Sequence, residues 1–267
     1  MAPRYRPQPA PQPARPAKAS IDICAALQDP NLLGAALGNS ASWSRWLSVL
    51  RAAFGLPMSE QDRAAFAEVA GNREPPSRRV DELWAVVGRR SGKTRMAAAI
   101  SVHIGAIEQH KLSPGEVGHV LLLAASRDQA RVAFEYVVGF LKASPILRQQ
   151  IRSVTASEVR LRGNIVIGVH AGSFRTVRGR TLLAVVGDET SFWRDETSAQ
   201  PDVEIFRAVL PALAARRGLW VGISTGCRKT SLLFSKLKQH FGQSGDDVLV
   251  VQGASEQFNA SSSAQRF

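Results

Sequence analysis

Cysteine and acid are the scarce commodities in this chain of 267 residues. Its only two cysteines, Cys24 and Cys227, lie near opposite ends, with no metal-ligand spacing and no basis for a disulfide framework. That usage fits a reducing, cytosolic setting. The five histidines (His103, His110, His119, His170, His240) are scattered, and none pairs with Cys or acid at zinc-ligand spacing, so all five read as structural. Carboxylates number 22 against 34 lysines and arginines, a formal net charge of +12 and a sequence pI of about 10.7. Such an excess draws polyanions, nucleic acid foremost, although it also serves ordinary solubility. No apolar run approaches the roughly 18 residues of a membrane span. The N-terminus lacks the apolar stretch of a secretory signal. Residues 1–20 instead combine many prolines with Arg4, Arg6, Arg15 and Lys18. A stretch of that kind cannot bury enough surface to fold, and a disordered basic tail is expected.

Hydrophobic residues make up 45% of the chain, enough for a sizeable core. Residues 21–72 show helical spacing: Ile21, Cys24, Ala25 and Leu27, then Leu32, Leu33, Ala36 and Leu37, then Trp43, Trp46, Leu47 and Leu50. Ser59 is placed to cap a further helix over 59–70. Gly71-Asn72 and Pro75-Pro76 break the chain and set a boundary. From there to residue 267 strands and helices alternate. Strands are expected at 83–87, 119–124, 181–186, 219–224 and 248–251. Helices are expected at 93–108, 127–141 (capped by Ser126), 202–215 (kinked or divided by Pro211) and 230–241. Arg162-Gly163 between apolar runs at 159–161 and 164–169 predicts a hairpin. The alternation predicts an α/β fold, a mostly parallel sheet covered by helices on both faces, preceded by a small helical region.

Two segments carry chemistry. Gly88-Arg89-Arg90-Ser91-Gly92-Lys93-Thr94 directly follows the apolar strand 83–87 and opens a helix. Glycines let the backbone approach phosphate, and a helix N-terminus adds a positive dipole end. Lys93 is placed to reach β- and γ-phosphates, and Thr94 to put its hydroxyl on Mg²⁺. The usual pattern has its first glycine where Val87 stands; here it comes one place later, at Gly88. Arg89 and Arg90 lie inside the loop; either a guanidinium stabilises charge on the γ-phosphate, with Arg89 preferred, or the pair only adds positive potential. The second segment is the apolar run 182–186 followed by Gly187-Asp188-Glu189. Asp188 offers a hard oxygen to Mg²⁺, and Glu189 a base for water. Together the two describe a device for binding and hydrolysing a nucleoside triphosphate.

These residues and their surroundings resemble the ATPase half of the tailed-phage terminase large subunit. The resemblance spans roughly residues 50–260. It rests on Phe54-Gly55-Leu56-Pro57, on the phosphate loop, and on Ala124-Ala125-Ser126-Arg127-Asp128-Gln129-Ala130. It rests also on Ser173-Phe174-Arg175-Thr176-Val177-Arg178-Gly179-Arg180-Thr181 leading to Asp188-Glu189 and Ser191-Phe192-Trp193, and on Ile223-Ser224-Thr225-Gly226. The resemblance implies an additional-strand P-loop ATPase core that assembles as a homo-oligomeric ring at a capsid portal protein, with a terminase small subunit as a further partner, and drives double-stranded DNA in the host cytoplasm. It implies that Ser224, Thr225 and Gly226 couple hydrolysis to movement. Arg178 matches an arginine presented to a neighbour's nucleotide, or else forms a structural ion pair.

Family members continue into a two-metal nuclease. After Asp247 the only acid here is Glu256. Such a site needs several converging carboxylates, so nuclease activity is not expected from this chain; a separate chain supplies it, or the reading frame is truncated. The competing functions are a remnant that binds nucleotide or DNA without motor activity, and a helicase-like ATPase, which would need a second domain after residue 260. The Trp43/Trp46 pair reads as a helical packing face or a contact for the small subunit. Arg216-Arg217 reads as a solvated helix end. Arg228, Lys236 and Lys238 are candidates for a DNA track.

Overall fold

The structure is a computed structural model and describes residues 21–38, 40–171, 179–193, 201–226 and 228–259. The chain enters through four short helices: α1 (Ile23–Gln28), α2 (Gly34–Leu37), α3 (Ser44–Ala53) and α4 (Glu60–Ala70). Their ends are set by local chemistry. Asp22 caps α1 by accepting from the Ala25 N–H at 2.9 Å. Ser59 and Asp62 form a reciprocal capping box at the start of α4, and Gly71 ends that helix in the left-handed region at φ 70°.

The remaining elements are β1 (Glu82–Val87), α5 (Lys93–Val102), β2 (Gly118–Ala124), α6 (Arg127–Ala143), β3 (Ile151–Val154), β4 (Glu158–Leu161), β5 (Ile165–Ala171), β6 (Thr181–Asp188), α7 (Pro201–Ala214), β7 (Leu219–Ser224), α8 (Leu232–His240), β8 (Val248–Gly253) and α9 (Ser255–Phe258). The strands form one sheet in the order β3-β4-β5-β2-β6-β7-β1-β8. In this order the six strands from β5 to β8 run parallel to one another, while β4 pairs antiparallel with both β5 and β3. Strand β7 is inserted between β1 and β6, with Val86 opposite Ser224 and Asp188 opposite Ile223. The segments leaving β1, β6 and β7 therefore emerge side by side at the carboxyl end of the sheet, where open parallel sheets bind ligands.

Both faces of the sheet are buried. Along β1, Leu83, Ala85 and Val87 join one core cluster, while Trp84 and Val86 join the other. The first cluster also takes in α1, α3, α4, α5, α6 and Phe258 of α9, so residues 23–70 share a core with the sheet. The second packs under α7 and α8 around Trp84, Phe206 and Trp220, whose rings lie 5.0–5.6 Å apart. Gly222 makes room for them: a Cβ there would sit 2.3 Å from the Trp84 ring.

The course of the elements departs from expectation in three places. Strand β3 is an addition to the expected hairpin; its Ile-Arg-Ser-Val has only Ile151 half-buried and no alternating signature. Pro211 does not divide α7, because it falls in the last turn, where few ladder bonds remain to be lost. The helix after the phosphate loop loosens into a π-turn at His103–Ile107. Arg216 and Arg217 stand exposed just past the end of α7, where Arg216 also donates to the Lys111 carbonyl at 3.0 Å and pairs with Glu116.

Candidate active site

The phosphate loop is curled by two left-handed residues, Arg90 at φ 62° and Gly92 at φ 80°. For arginine that conformation costs about 1 kcal/mol or more, so the surroundings must hold it. The Trp46 indole Nε1 donates to the buried Ser91 carbonyl at 2.8 Å. The Trp43 ring packs on Gly92, where a Cβ would meet a ring carbon at 2.4 Å. The Asn259 side-chain amide donates to the Arg90 carbonyl at 2.9 Å. Gly88 donates its N–H to Gly253 at 3.2 Å, and a Cβ on it would fall 2.2 Å from Ser255 Oγ. The shifted glycine thus has a physical reason in this chain: α9 approaches too closely for any side chain at residue 88.

The curl opens α5 with Lys93 and Thr94, both facing the acids at the end of β6. Thr94 Oγ1 donates to Asp188 Oδ2 at 2.7 Å. Lys93 Nζ, 7% exposed, donates to the Gly88 carbonyl at 3.2 Å and to Thr225 Oγ1 at 3.0 Å, and stands 3.6 Å from Glu189 Oε1. Glu189 takes a left-handed backbone at φ 51°, which turns its carboxylate toward β7. There it accepts from Ser224 Oγ and the Thr225 N–H, each at 2.9 Å, and from the Thr225 hydroxyl.

The two carboxylates differ in electrostatics. Burial and the adjacent Glu189 charge push Asp188 up, against the opposing Thr94 bond and Lys93 charge. Burial also works against the Glu189 charge, but the Thr225 hydroxyl and N–H, Lys93 and Ser224 outweigh it and hold this carboxyl below its ordinary range. Asp188 Oδ1 is buried without a hydrogen-bond partner among the described residues. An orphaned hard oxygen beside a threonine hydroxyl fits a divalent cation such as Mg²⁺. Beside Lys93 and Thr94 lies a cleft of about 510 Å³, walled by Leu37, Trp43, Arg95, Val132 and Tyr136.

The fold therefore brings together Gly88, Ser91, Gly92, Lys93, Thr94, Asp188, Glu189, Ser224 and Thr225. Gly226 follows in open space. Arg89 and Arg90 stand exposed at the loop tip. Arg178 and Cys227 lie outside the described residues. Of the proposed DNA-track residues, Lys238 stays exposed and Arg228, also exposed, donates twice to the Ser191 carbonyl, at 2.9 and 2.7 Å, while half-buried Lys236 pairs with Glu82 at 2.6 Å beside the Phe206 ring. Sequence reasoning missed Trp46, Ser255 and Asn259 as supports of the loop, and no local motif marks them.

Among solved structures, the chain superposes on the large terminase of bacteriophage HK97 with a TM-score of 0.51 and 21% identity, over 73% of this chain. The fold is that of a phage large terminase. The chain spans 40% of the length of that terminase. The ATPase domain of the Thermus phage P74-26 large terminase superposes at 0.48, and an arginine-to-alanine variant of it at 0.46. Both are 18% identical, over 75% of this chain and 87% of theirs. No protein-family model matches the chain, and no curated protein matches it by sequence. In the terminase fold as this chain builds it, the phosphate loop is tied from both ends of the chain, by Trp43 and Trp46 of the N-terminal helices and by Ser255 and Asn259 beyond β8.

Proposed function

We propose that this chain is the ATP-hydrolysing module of a viral DNA-packaging motor, moving double-stranded DNA into a capsid. The observation that carries the reading is the Thr94–Asp188 contact at 2.7 Å, with Lys93 3.6 Å from Glu189. Two motifs far apart in sequence close on one point at the carboxyl end of a parallel sheet. That is the arrangement triphosphate hydrolysis requires.

In this reading the loop N–H groups from Gly88 to Gly92 and the α5 dipole hold the β- and γ-phosphates. The cleft beside Trp43 and Tyr136 receives the base. Thr94 and Asp188 would hold Mg²⁺, which would supply positive charge to offset the charge on the phosphates. Lys93 moves from Glu189 to the γ-phosphate, and that shift leaves Glu189 Oε1 with the Thr225 hydroxyl as its remaining partner. Glu189, ionised at neutral pH because its carboxyl is held low, then orients the attacking water and accepts its proton. Ser224 and Thr225, bonded to Glu189 in the resting arrangement, register the change and pass it along the segment ending at Gly226. Arg89, or Arg178 from a neighbour, stabilises the transferring phosphoryl group. A homo-oligomeric ring, a portal protein and a terminase small subunit complete the motor in the host cytoplasm.

The test is ATP hydrolysis by the purified chain, with and without double-stranded DNA, beside Glu189→Ala. Turnover stimulated by DNA and abolished in the variant supports the reading. Undiminished turnover in Glu189→Ala refutes the assignment of the base.

A further inference from the structure

The two edges of the sheet are treated differently. At β8 the Arg73 guanidinium turns onto the edge and donates to the Val248 carbonyl at 2.9 Å, and α4 packs against the strand. At the other edge β3 lies open, with Arg152, Ser153 and Val154 all exposed. Around it the sequence concentrates one sign of charge. Residues 142–164 contain Lys142, Arg148, Arg152, Arg160 and Arg162, all exposed, and one acid, Glu158. Glu158 is already shared: Arg160 approaches it at 3.6 Å, and Arg180 and His170 at 4.0 Å. Among the described residues no carboxylate pairs with Lys142, Arg148, Arg152 or Arg162.

The nucleotide cannot be what these arginines meet. Four strand spacings separate β3 from β6, which ends at Asp188 in the nucleotide site, about 19 Å at about 4.8 Å each, and Arg160 pairs with the amino end of β5, away from the carboxyl end where that site lies. Addition of a protein strand is also disfavoured. The strand has only four residues, its register slips between Ile151 and Ser153, and arginines flank it, all features that blunt an edge. A regular polyanion suits it better. Arg160 in β4, opposite Ser153, and Arg162 in the turn that follows β4 both stand exposed at the same edge as Arg152, a concentration of positive charge that pairs with a chain of phosphates.

We propose that this edge, from Arg148 to Arg162, is a docking surface for the phosphate backbone of double-stranded DNA. Contacts of this kind position a duplex without reading its sequence. The choice of duplex DNA over another polyanion rests on the packaging reading; the charged edge itself does not.

The experiment follows fluorescence anisotropy of a labelled duplex of arbitrary sequence across a salt series, using the full chain. The Arg152→Ala/Arg160→Ala/Arg162→Ala variant is compared with Arg63→Ala/Arg207→Ala/Arg217→Ala, which removes equal charge from exposed positions elsewhere. The edge variant should weaken binding at least tenfold at low salt and lower the slope of log affinity against log salt by about 2–3, at about 0.9 per phosphate contact. The control should leave the slope within about one. Equal losses in the two variants would overturn the proposal in favour of diffuse net charge. Competition by polyglutamate as strong, per charge, as by unlabelled duplex would overturn it in favour of an acidic protein partner. An Arg→Lys triple at the same positions should keep the slope, which guards against misfolding of the alanine variant. A fluorescent ATP analogue titrated into the same proteins separates the two readings. Failure of the wild-type chain to bind nucleotide would sink the ATPase assignment while leaving an edge-specific DNA loss intact.

Discussion

Replacing Trp46 with phenylalanine should loosen the phosphate loop more than its effect on the fold would suggest. Trp46 is 1% exposed and its Nε1 donates to the Ser91 carbonyl at 2.8 Å. Phenylalanine cannot donate, and a buried carbonyl left without a partner costs about 1–3 kcal/mol. The smaller ring also leaves a void of about 40 Å³ beside Phe258, worth about 1 kcal/mol. The sum, about 2–4 kcal/mol, should lower the melting temperature by about 5–15 °C in a domain of this size. Because the orphaned carbonyl belongs to the loop itself, affinity for an ATP analogue should fall about tenfold, an equivalent of about 1.4 kcal/mol. Trp84→Phe is the comparison: Trp84 is equally buried and donates to Glu82 at 2.7 Å, but on the opposite face of the sheet and away from the loop. It should destabilise by a similar amount and leave nucleotide affinity within about threefold. Thermal unfolding and analogue titration on both variants decide the matter. Equal loss of affinity in the two, or none in Trp46→Phe, would refute the claim that Trp46 acts on the loop.

Glu189→Ala should retain bound ATP while turnover falls by about 10²–10⁴, the usual contribution of a general base; single-turnover kinetics with filter binding would separate the two. Lys93→Ala should lose binding and turnover together, and an analogue titration showing wild-type affinity would contradict the role given to Lys93. His103, 2% exposed, is held down to about 4, chiefly by burial. Its folded value lies below its unfolded one, so the unfolded chain takes up the proton first and stability falls as pH drops from about 6.5 to about 4. The loss approaches about 3 kcal/mol, and urea unfolding of wild type and His103→Phe across that range should show a shallower pH dependence in the variant. The Cys24 thiol, buried and pushed up to about 12, should resist alkylation in the folded protein; peptide mapping that finds rapid native-state labelling at Cys24 would contradict its placement.

Much of the architecture was legible because it is written in short-range patterns. Apolar runs of five or six residues punctuated by Gly, Ser and Asp marked β1, β2, β6 and β7, and Ser59 and Ser126 marked the starts of α4 and α6 where the structure has them. The four residues Lys93, Thr94, Asp188 and Glu189 could be named because their chemistry is carried by motifs of a few residues. Strand β3 was not legible, since exposure removes the alternation by which a half-buried strand is recognised. The contacts that tie Arg228 to Ser191 and Lys236 to Glu82 were not legible either. A long basic side chain has the same letter whether it meets solvent or a carbonyl two elements away.

What the sequence determined by itself was therefore the kind of most of the elements and the chemistry of the two motifs. Helical periodicity, caps and β-branched runs act within a few residues, and the reactive groups of a phosphate loop are identified by type. Tertiary structure alone decided which strands are neighbours. By inserting β7 between β1 and β6 it set Thr225 against both Lys93 and Glu189. It also brought Trp46 and Asn259 from opposite ends of the chain onto one loop, and left one edge of the sheet closed by Arg73 and the other open and basic. Those outcomes depend on which apolar faces bury one another best, a property of the whole packed chain that no local window contains.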